Sequence, residues 1–208
     1  MKYVVTLFSI CFLIACNSTN EGNTETTEET DIIMDDNLSG LFEDAVVVKL
    51  HAFSLQDQMN TDDYPYGGKE IPKDLYSHLD KNIVAKANET GEAIFACYAL
   101  PDGLYILRVP GEGNSKRSEL CTLGASGKLE INQHLAHAWC ENDRCGQQDA
   151  WLADLDLDNH LELITRSATL EAETEVESDF KVYTQSGDGN FVEGKGELAV
   201  KEHFPLIK

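Results

Sequence analysis

The sequence predicts a mainly β fold of compact antiparallel sheets with one short helix. Short segments rich in β-branched and aromatic residues follow one another along most of the chain, and glycine, proline and acidic turns separate them. Only one segment repeats large apolar residues at helical spacing. With 42% hydrophobic residues in 208, the chain can bury a core, and its length suits one domain with a tail.

The chain is strongly acidic, because 37 Asp and Glu residues stand against 16 Lys and Arg and give a formal net charge of −21. A surface of this charge repels phosphate groups, so we expect no nucleic-acid partner. No apolar run after the N-terminus approaches the roughly 20 residues that a membrane-crossing helix needs. These features predict an acidic globular domain.

Residues 1–15 have the features of a bacterial export signal. Lys2 gives a positive start, the following residues are mostly apolar, and residues 13–16 read Leu-Ile-Ala-Cys. This end resembles the lipobox of bacterial lipoproteins. The resemblance implies that cleavage leaves Cys16 as a lipidated N-terminus anchored to a membrane, and Asn17 after it implies the outer membrane, on its periplasmic or surface face. The alternative is an ordinary signal peptide in which Cys16 has no role.

Residues 16–44 are predicted to be the lipidated cysteine and a disordered acidic tether. Residues 17–30 contain no large apolar side chain, so nothing there offsets the entropy cost of ordering the chain. Acidic residues continue to Asp44, and apolar residues then become frequent. We therefore place a β-rich domain at residues 45–208.

The first strand of that domain is predicted at residues 46–53, which are mostly apolar. Residues 62–68 contain one proline and two glycines and are predicted to be a loop. A helix is predicted to begin near Pro72. Its apolar residues recur at every fourth position, at Leu75, Leu79 and Ile83.

The clearest predicted hairpin joins residues 92–100 to residues 104–109 through the turn Pro101-Asp102-Gly103. Alternation predicts one face for Ile94, Ala96, Tyr98 and Leu100, and the other face for Phe95, Cys97 and Ala99. A second pair of strands is predicted at residues 119–123 and 129–139. Further short strands are predicted at residues 149–153, 161–166, 180–184 and 191–193.

Four cysteines remain after the export signal and Cys16, and an even number outside the cytoplasm predicts disulfides. Four cysteines permit three pairings. We favour the one that joins Cys140 to Cys145 across a short loop and Cys97 to Cys121 between neighbouring strands. The alternatives are reduced thiols and a zinc site formed by His134, His137, Cys140 and Cys145.

One short segment carries a recognisable ligand pattern. From residue 154 to residue 162 the chain reads Asp-Leu-Asp-Leu-Asp-Asn-His-Leu-Glu, with acidic residues at positions 1, 3, 5 and 9. Calcium takes about six to eight oxygen ligands, and a tight loop between two strands can aim alternate carboxylates at one centre. Asn159 can adopt the positive φ that such a loop needs at its sixth position. The alternative is a solvated acidic turn. The predicted calcium ligands are Asp154, Asp156, Asp158 and Glu162 through their carboxylates and His160 through its backbone carbonyl.

Residues 151–192 resemble one FG-GAP or VCBS repeat. The acidic loop matches the pattern D-x-D-x-D-x-x-x-[DE]-L, and residues 182–191 read VYTQSGDGNF, similar to the strand, G-D-G turn and phenylalanine of that family. The family has Gly commonly where this chain has Leu157 and Asn159. The resemblance implies a β-propeller blade with structural calcium held by the loop acids. Because this single repeat covers about a fifth of the chain, we expect one blade-like sheet packed on the strands of residues 92–139.

The sequence contains no G-x-S-x-G, P-loop or H-E-x-x-H motif, and we assign no catalytic residues. The expected function is that of a non-enzymatic binding or scaffold lipoprotein of the envelope with a structural calcium site, whose partner is an envelope protein or a glycan. One alternative is an envelope hydrolase that uses Asp62, Asp63 or Glu70. The other is a lipoprotein inhibitor of an enzyme.

Overall fold

The computed structural model describes residues 33–47, 49–53, 67–111, 115–172, 174–186, 189–194 and 199–206. The predicted export signal, Cys16 and the tether up to residue 32 lie outside the described residues, as do Asp62 and Asp63. The folded part of the chain begins before residue 45, the predicted domain boundary, because a helix lies at residues 36–39. Helix α1 (Asp36–Ser39) is capped by the side chain of Asp35, and its Leu38 is fully buried.

The described residues form a mainly β fold with one large sheet, which confirms the predicted fold class. The strands are β1 (Glu43–Asp44), β2 (Lys49–Ala52), β3 (Lys69–Glu70), β4 (Phe95–Leu100), β5 (Leu104–Pro110), β6 (Lys116–Leu123), β7 (Leu129–Glu141), β8 (Arg144–Ala153), β9 (Glu162–Glu171), β10 (Thr174–Gln185) and β11 (Phe191–Glu193). Their hydrogen-bonded order is β1-β4-β5-β6-β7-β8-β9-β10-β11, with β3 beside β4 and β2 beside β8. Only β1 runs parallel to its neighbour among the described strand pairs.

Strand β7 divides the sheet into two halves. Its residues 129–136 pair with β6, and its residues 137–141 pair with β8. The change of partner follows a register shift opposite Ser118 and Glu119, and such a bulge bends a strand. Residues 144–148 of β8 pair with β7, and residues 150–153 of β8 pair with β2. The first half therefore comprises β1, β3–β6 and the start of β7, and the second half comprises the end of β7, β8–β11 and β2.

The two halves share one apolar core. The main core cluster takes buried side chains from both halves, so a face of the first half packs against a face of the second. The expected blade-like sheet corresponds in position to β8–β11, which are paired in succession, but β7 joins it to the preceding strands without a break. The buried members of this cluster are Ala52, Cys97, Leu100, Leu104, Ile106, Leu120, Leu135, Ala136, Ala150, Leu152, Leu161, Leu163 and Phe191.

The other face of the first half packs against helical segments. The chain here is a 3-10 turn (Lys73–His78) followed by helix α2 (Lys81–Thr90), where the sequence predicted one helix from Pro72. The helical run is broken because Leu79 is extended and Asp80 caps α2 by accepting a hydrogen bond from the backbone of Asn82. Gly91, in the left-handed region at φ 74°, ends α2. This face is buried in a second cluster that includes Leu38, Ile71, Leu79, Ile83, Leu107 and Cys121.

A bulge in β4 overturns the predicted alternation. Ala96 pairs with Leu107 and Tyr98 with Ile106, so Cys97 is an extra residue in the ladder. Ile94 and Ala96 consequently lie in the helix-side cluster, while Cys97 and Leu100 lie in the core between the halves. The prediction that Ile94 and Ala96 share a face with Tyr98 and Leu100 is therefore wrong.

The cysteine prediction is half right. Cys140 and Cys145 form a disulfide across a directly opposed pair of β7 and β8, which confirms that pairing and uses both sulfur atoms of the alternative zinc site. The second pairing is wrong, because Cys97 and Cys121 are buried thiols that form no disulfide. Strand β5 separates their strands, and their side chains lie in clusters on opposite faces of the first half.

Alkylation followed by peptide mapping tests this thiol pattern. Burial raises the pKa of the Cys97 thiol to about 12 and that of Cys121 well above its ordinary value, so neither should react in the native protein. In denaturant without reductant we expect both to be alkylated, while Cys140 and Cys145 react only after reduction. A peptide that links Cys97 to Cys121 would contradict the structure.

Candidate metal centre

The predicted calcium loop occupies residues 154–161, between the end of β8 and the start of β9. Ala153, the last residue of β8, is paired with Glu162, the first residue of β9. This pairing brings the two ends of the loop side by side. Asp154 and Glu162, which are eight positions apart in sequence, therefore become neighbours because of the strand register.

The aspartates hold the loop in a tight coil through backbone hydrogen bonds. The carboxylate of Asp154 accepts from the backbone N–H of Asp158 and of Asn159, both at 3.1 Å. Asp156 also accepts from the N–H of Asp158, at 3.3 Å, and Asp158 accepts from the N–H of His160 at 2.8 Å. Short acidic side chains favour such turns because they replace backbone acceptors. The loop therefore turns its aspartates inward towards its own backbone.

Two residues of the loop adopt the left-handed backbone conformation. Asn159 has φ 70°, which confirms the prediction for the sixth position, and Leu157 has φ 65°. A leucine in this region costs about 1–2 kcal/mol, and its side chain is 82% exposed and gains little burial in return. The hydrogen bonds of the neighbouring aspartates are what offset this cost. The FG-GAP and VCBS pattern commonly has Gly at the same two positions.

Three of the four predicted carboxylates converge. Asp154, Asp156 and Glu162 each offer a carboxylate oxygen, and these oxygens lie within 4.8 Å of one another. Glu162 is only 2% exposed, and its Oε2 accepts a hydrogen bond of 2.7 Å from the backbone of Leu155. Burial raises the pKa of Glu162, the hydrogen bond from Leu155 opposes that rise, and the nearby aspartates add to it. Oxygen ligands without nitrogen or sulfur suit a hard cation such as Ca²⁺ or Mg²⁺.

The other two predicted ligands, Asp158 and His160, are not part of this carboxylate group. Asp158 lies outside the three-carboxylate group, and its carboxylate accepts from the backbone of His160. His160 is exposed, and the role of its carbonyl as a ligand stays a prediction. Sequence reasoning missed Gln185, at the end of β10, whose amide oxygen accepts from the N–H of Leu161 at 3.3 Å. No pattern in the sequence placed Gln185 beside the loop, because only the pairing of β9 with β10 brings it there.

Among the described residues, two other buried carboxylates lie outside the loop. Asp149, in β8, contacts His51 Nε2 at 3.0 Å through one oxygen and accepts from Gln147 at 2.9 Å through the other. His51 stacks on the indole of Trp151, with the ring centroids 4.4 Å apart. Sequence reasoning missed this group, because its members lie on strands far apart in the chain. Glu70, a candidate of the alternative hydrolase hypothesis, is exposed in β3.

Glu119, in β6, is fully buried and contacts two cationic groups. Its Oε1 lies 2.6 Å from Nε of Arg117, and its Oε2 lies 2.5 Å from Nδ1 of His134 in the adjacent strand. The hydrogen bond that His134 donates to the Glu119 carboxylate raises the pKa of His134, although burial and Arg117 oppose part of that rise. His134 is thus favoured in its charged form. His134 was proposed from sequence only as a zinc ligand, so this pairing was also missed.

Comparisons with protein-family models, with curated proteins and with solved structures find no match to this chain. The resemblance to FG-GAP and VCBS repeats therefore rests on the residues of the loop and of the following strands. None of the helices in the described part of the chain is long and apolar enough to cross a membrane.

The raised pKa of His134 predicts a pH-dependent contribution to stability. A histidine whose pKa is raised on folding adds stability that is fully present below its unfolded pKa and is lost as pH rises through the folded pKa. His134→Gln should therefore lower the free energy of unfolding at about pH 5.5 and have a smaller effect at about pH 8.5. Urea unfolding at both pH values measures this. The exposed His203→Gln serves as control, and an equal loss at both pH values for His134→Gln would contradict the pairing.

Proposed function

We propose that this protein is a calcium-stabilised, non-enzymatic binding module that a lipid on Cys16 holds at the outer membrane of a bacterium. The observation that carries the calcium proposal is the convergence of Asp154, Asp156 and Glu162 within 4.8 Å at a loop closed by paired strands. The anchor is proposed from the Leu-Ile-Ala-Cys sequence at residues 13–16.

The buried acids of the described residues differ in what neutralises them. Glu119 contacts Arg117 and His134, and Asp149 contacts His51. Glu162 is the third buried acid, and its neighbours are a backbone N–H and two further carboxylates. A buried carboxylate among like charges is costly unless it is protonated or bound to a cation. A divalent ion would supply at Glu162 the positive charge that Arg117 and His134 supply at Glu119.

The position of the loop supports a structural role for the ion. Leu155 packs against the cluster of Trp151, Ile164, Val182 and Phe204, whereas Leu161 is buried in the core between the two sheet halves. The loop is thus fixed at its two ends to two different apolar clusters. An ion held between those ends would fasten the β8–β9 connection.

Substitution of Asp156 by Asn tests the calcium site. In the wild-type protein, calcium at about one hundred times its Kd should add about 2–3 kcal/mol to the free energy of unfolding. Asp156→Asn should lose most of that increment. In chelator the same variant should be equal to or slightly more stable than wild type, because one of three clustered negative charges is gone. Thermal unfolding in calcium and in chelator measures both effects.

The matched control is Asp143→Asn, which removes one negative charge from the exposed β7–β8 turn. It should keep the full calcium increment. Asn can still accept the backbone hydrogen bond that Asp156 accepts, so the variant changes charge more than it changes the turn. Wild-type melting curves that coincide in calcium and in chelator would end the calcium proposal.

The lipid anchor has a separate test. Mass spectrometry of the mature protein should find an N-terminal peptide that begins at Cys16 and carries diacylglycerol and an acyl chain. Cys16→Ser should move the protein from the membrane fraction to the soluble fraction, and retention of the variant in the membrane fraction would contradict the anchor. Because neither change touches residues 154–162, the anchor and the calcium site can fail independently.

A further inference from the structure

A cavity of about 310 Å³ lies where β7 changes partners. On one side of this point His134 is paired with Glu119 of β6, and on the other side His137 is paired with Gln148 of β8. Both histidines and Gln148 line the cavity. The bend between the two sheet halves therefore places side chains of three strands around one concave space.

Among the described residues, those that line the cavity differ in charge from the acidic chain as a whole. Arg117 and His134 are two of them, and none of the described lining residues is acidic. Glu119, which is fully buried, holds both cationic groups by one contact to each. A guanidinium group that meets one carboxylate through Nε still has two terminal amino groups that can donate to a second.

Trp139 gives the cavity a flat apolar wall. It is paired with Gly146 across β7 and β8, and a Cβ atom at residue 146 would lie 2.2 Å from Nε1 of the indole. The indole therefore packs directly on the backbone of Gly146, and a side chain there would displace it. Gln148 is also fixed, because its amide nitrogen donates to the carbonyl of His134 at 2.8 Å. The oxygen of such an amide can accept from a hydroxyl group.

We propose that this cavity binds an acidic monosaccharide, with the carboxylate at Arg117 and His134 and the sugar ring against Trp139. The volume is at the small end of ligand pockets, which suits one ring better than an extended chain. Arg117 and charged His134 bring two positive charges against the one negative charge of Glu119, and this excess favours a second anion. The indole favours a ring with an apolar face, and the amide of Gln148 suits hydroxyl groups. This inference gives a ligand class to the binding role proposed above and uses none of the calcium ligands.

The indole N–H signals of the full-length protein in detergent give a direct test by NMR. The chain has two tryptophans, and Trp151 is buried in the cluster with Ile164, Val182 and Phe204, away from the cavity lining. Titration with glucuronate should shift the signal of Trp139 in a saturable way and leave that of Trp151 in place. Glucose, which has the ring without the charge, should bind at least about tenfold more weakly.

Two variants locate the contacts. Arg117→Gln should weaken glucuronate binding about tenfold, whereas Arg144→Gln, at a surface ion pair with Glu177, should not. Gly146→Ala should weaken the binding of glucuronate, because the added methyl group would displace the indole of Trp139. Equal binding of glucuronate and glucose, an unmoved Trp139 signal, or full affinity in Arg117→Gln would overturn the proposal. If a variant fails to fold, the wild-type titration alone decides the proposal. Neither result changes the effect that Asp156→Asn is expected to have on stabilisation by calcium.

Discussion

The double pairing of β8 is the constraint on which the rest of the structure depends. One edge of this strand pairs along its whole length with β9, and the other edge pairs first with β7 and then with β2. The pairing with β9 closes the acidic loop, since it sets Ala153 opposite Glu162. The pairing of β8 with β7 begins just after the register shift between β6 and β7, and the cavity lies there, beside Gln148. A shift of β8 by one residue would exchange its two faces and dissolve both sites.

The sequence predicted the local features because local physics decides them. Acidic side chains at alternate positions, a residue that tolerates positive φ at Asn159, and two cysteines flanking a short turn each depend on a few neighbouring residues. Face assignment in β4 failed because the bulge at Cys97 depends on the register with β5, which no single strand encodes. The proposed Cys97–Cys121 pair failed for the same reason, since it assumed that β4 and β6 were neighbours. Long-range register is what a single sequence conceals.

The buried acids also show the difference between what neighbouring residues decide and what long-range strand register decides. A sequence shows that Glu119, Asp149 and Glu162 each adjoin an apolar residue, but it does not show which of them has a cationic neighbour. Among the described residues, Glu119 has two such neighbours, from β6 and β7, whereas the charged side chains that converge on Glu162 are the acids Asp154 and Asp156. Repulsion of this kind is tolerated in a folded protein only when a proton or a cation relieves it. The metal proposal therefore depends on charge balance as much as on the pattern of aspartates.

The proposed location gives the loop a physical advantage. Three carboxylates, one of them on the exposed Asp156, form a modest set of calcium ligands, and extracellular modules work with Kd values of about 10⁻⁴–10⁻³ M. Such a site would stay empty at the low calcium concentration inside a cell and fill after export. The repulsion among Asp154, Asp156 and Glu162 would then weaken the β8–β9 connection until the protein had left the cytoplasm. On this proposal, a loop that destabilises the sheet in one compartment fastens it in the next, and the lipid on Cys16 keeps the protein where the ion is available.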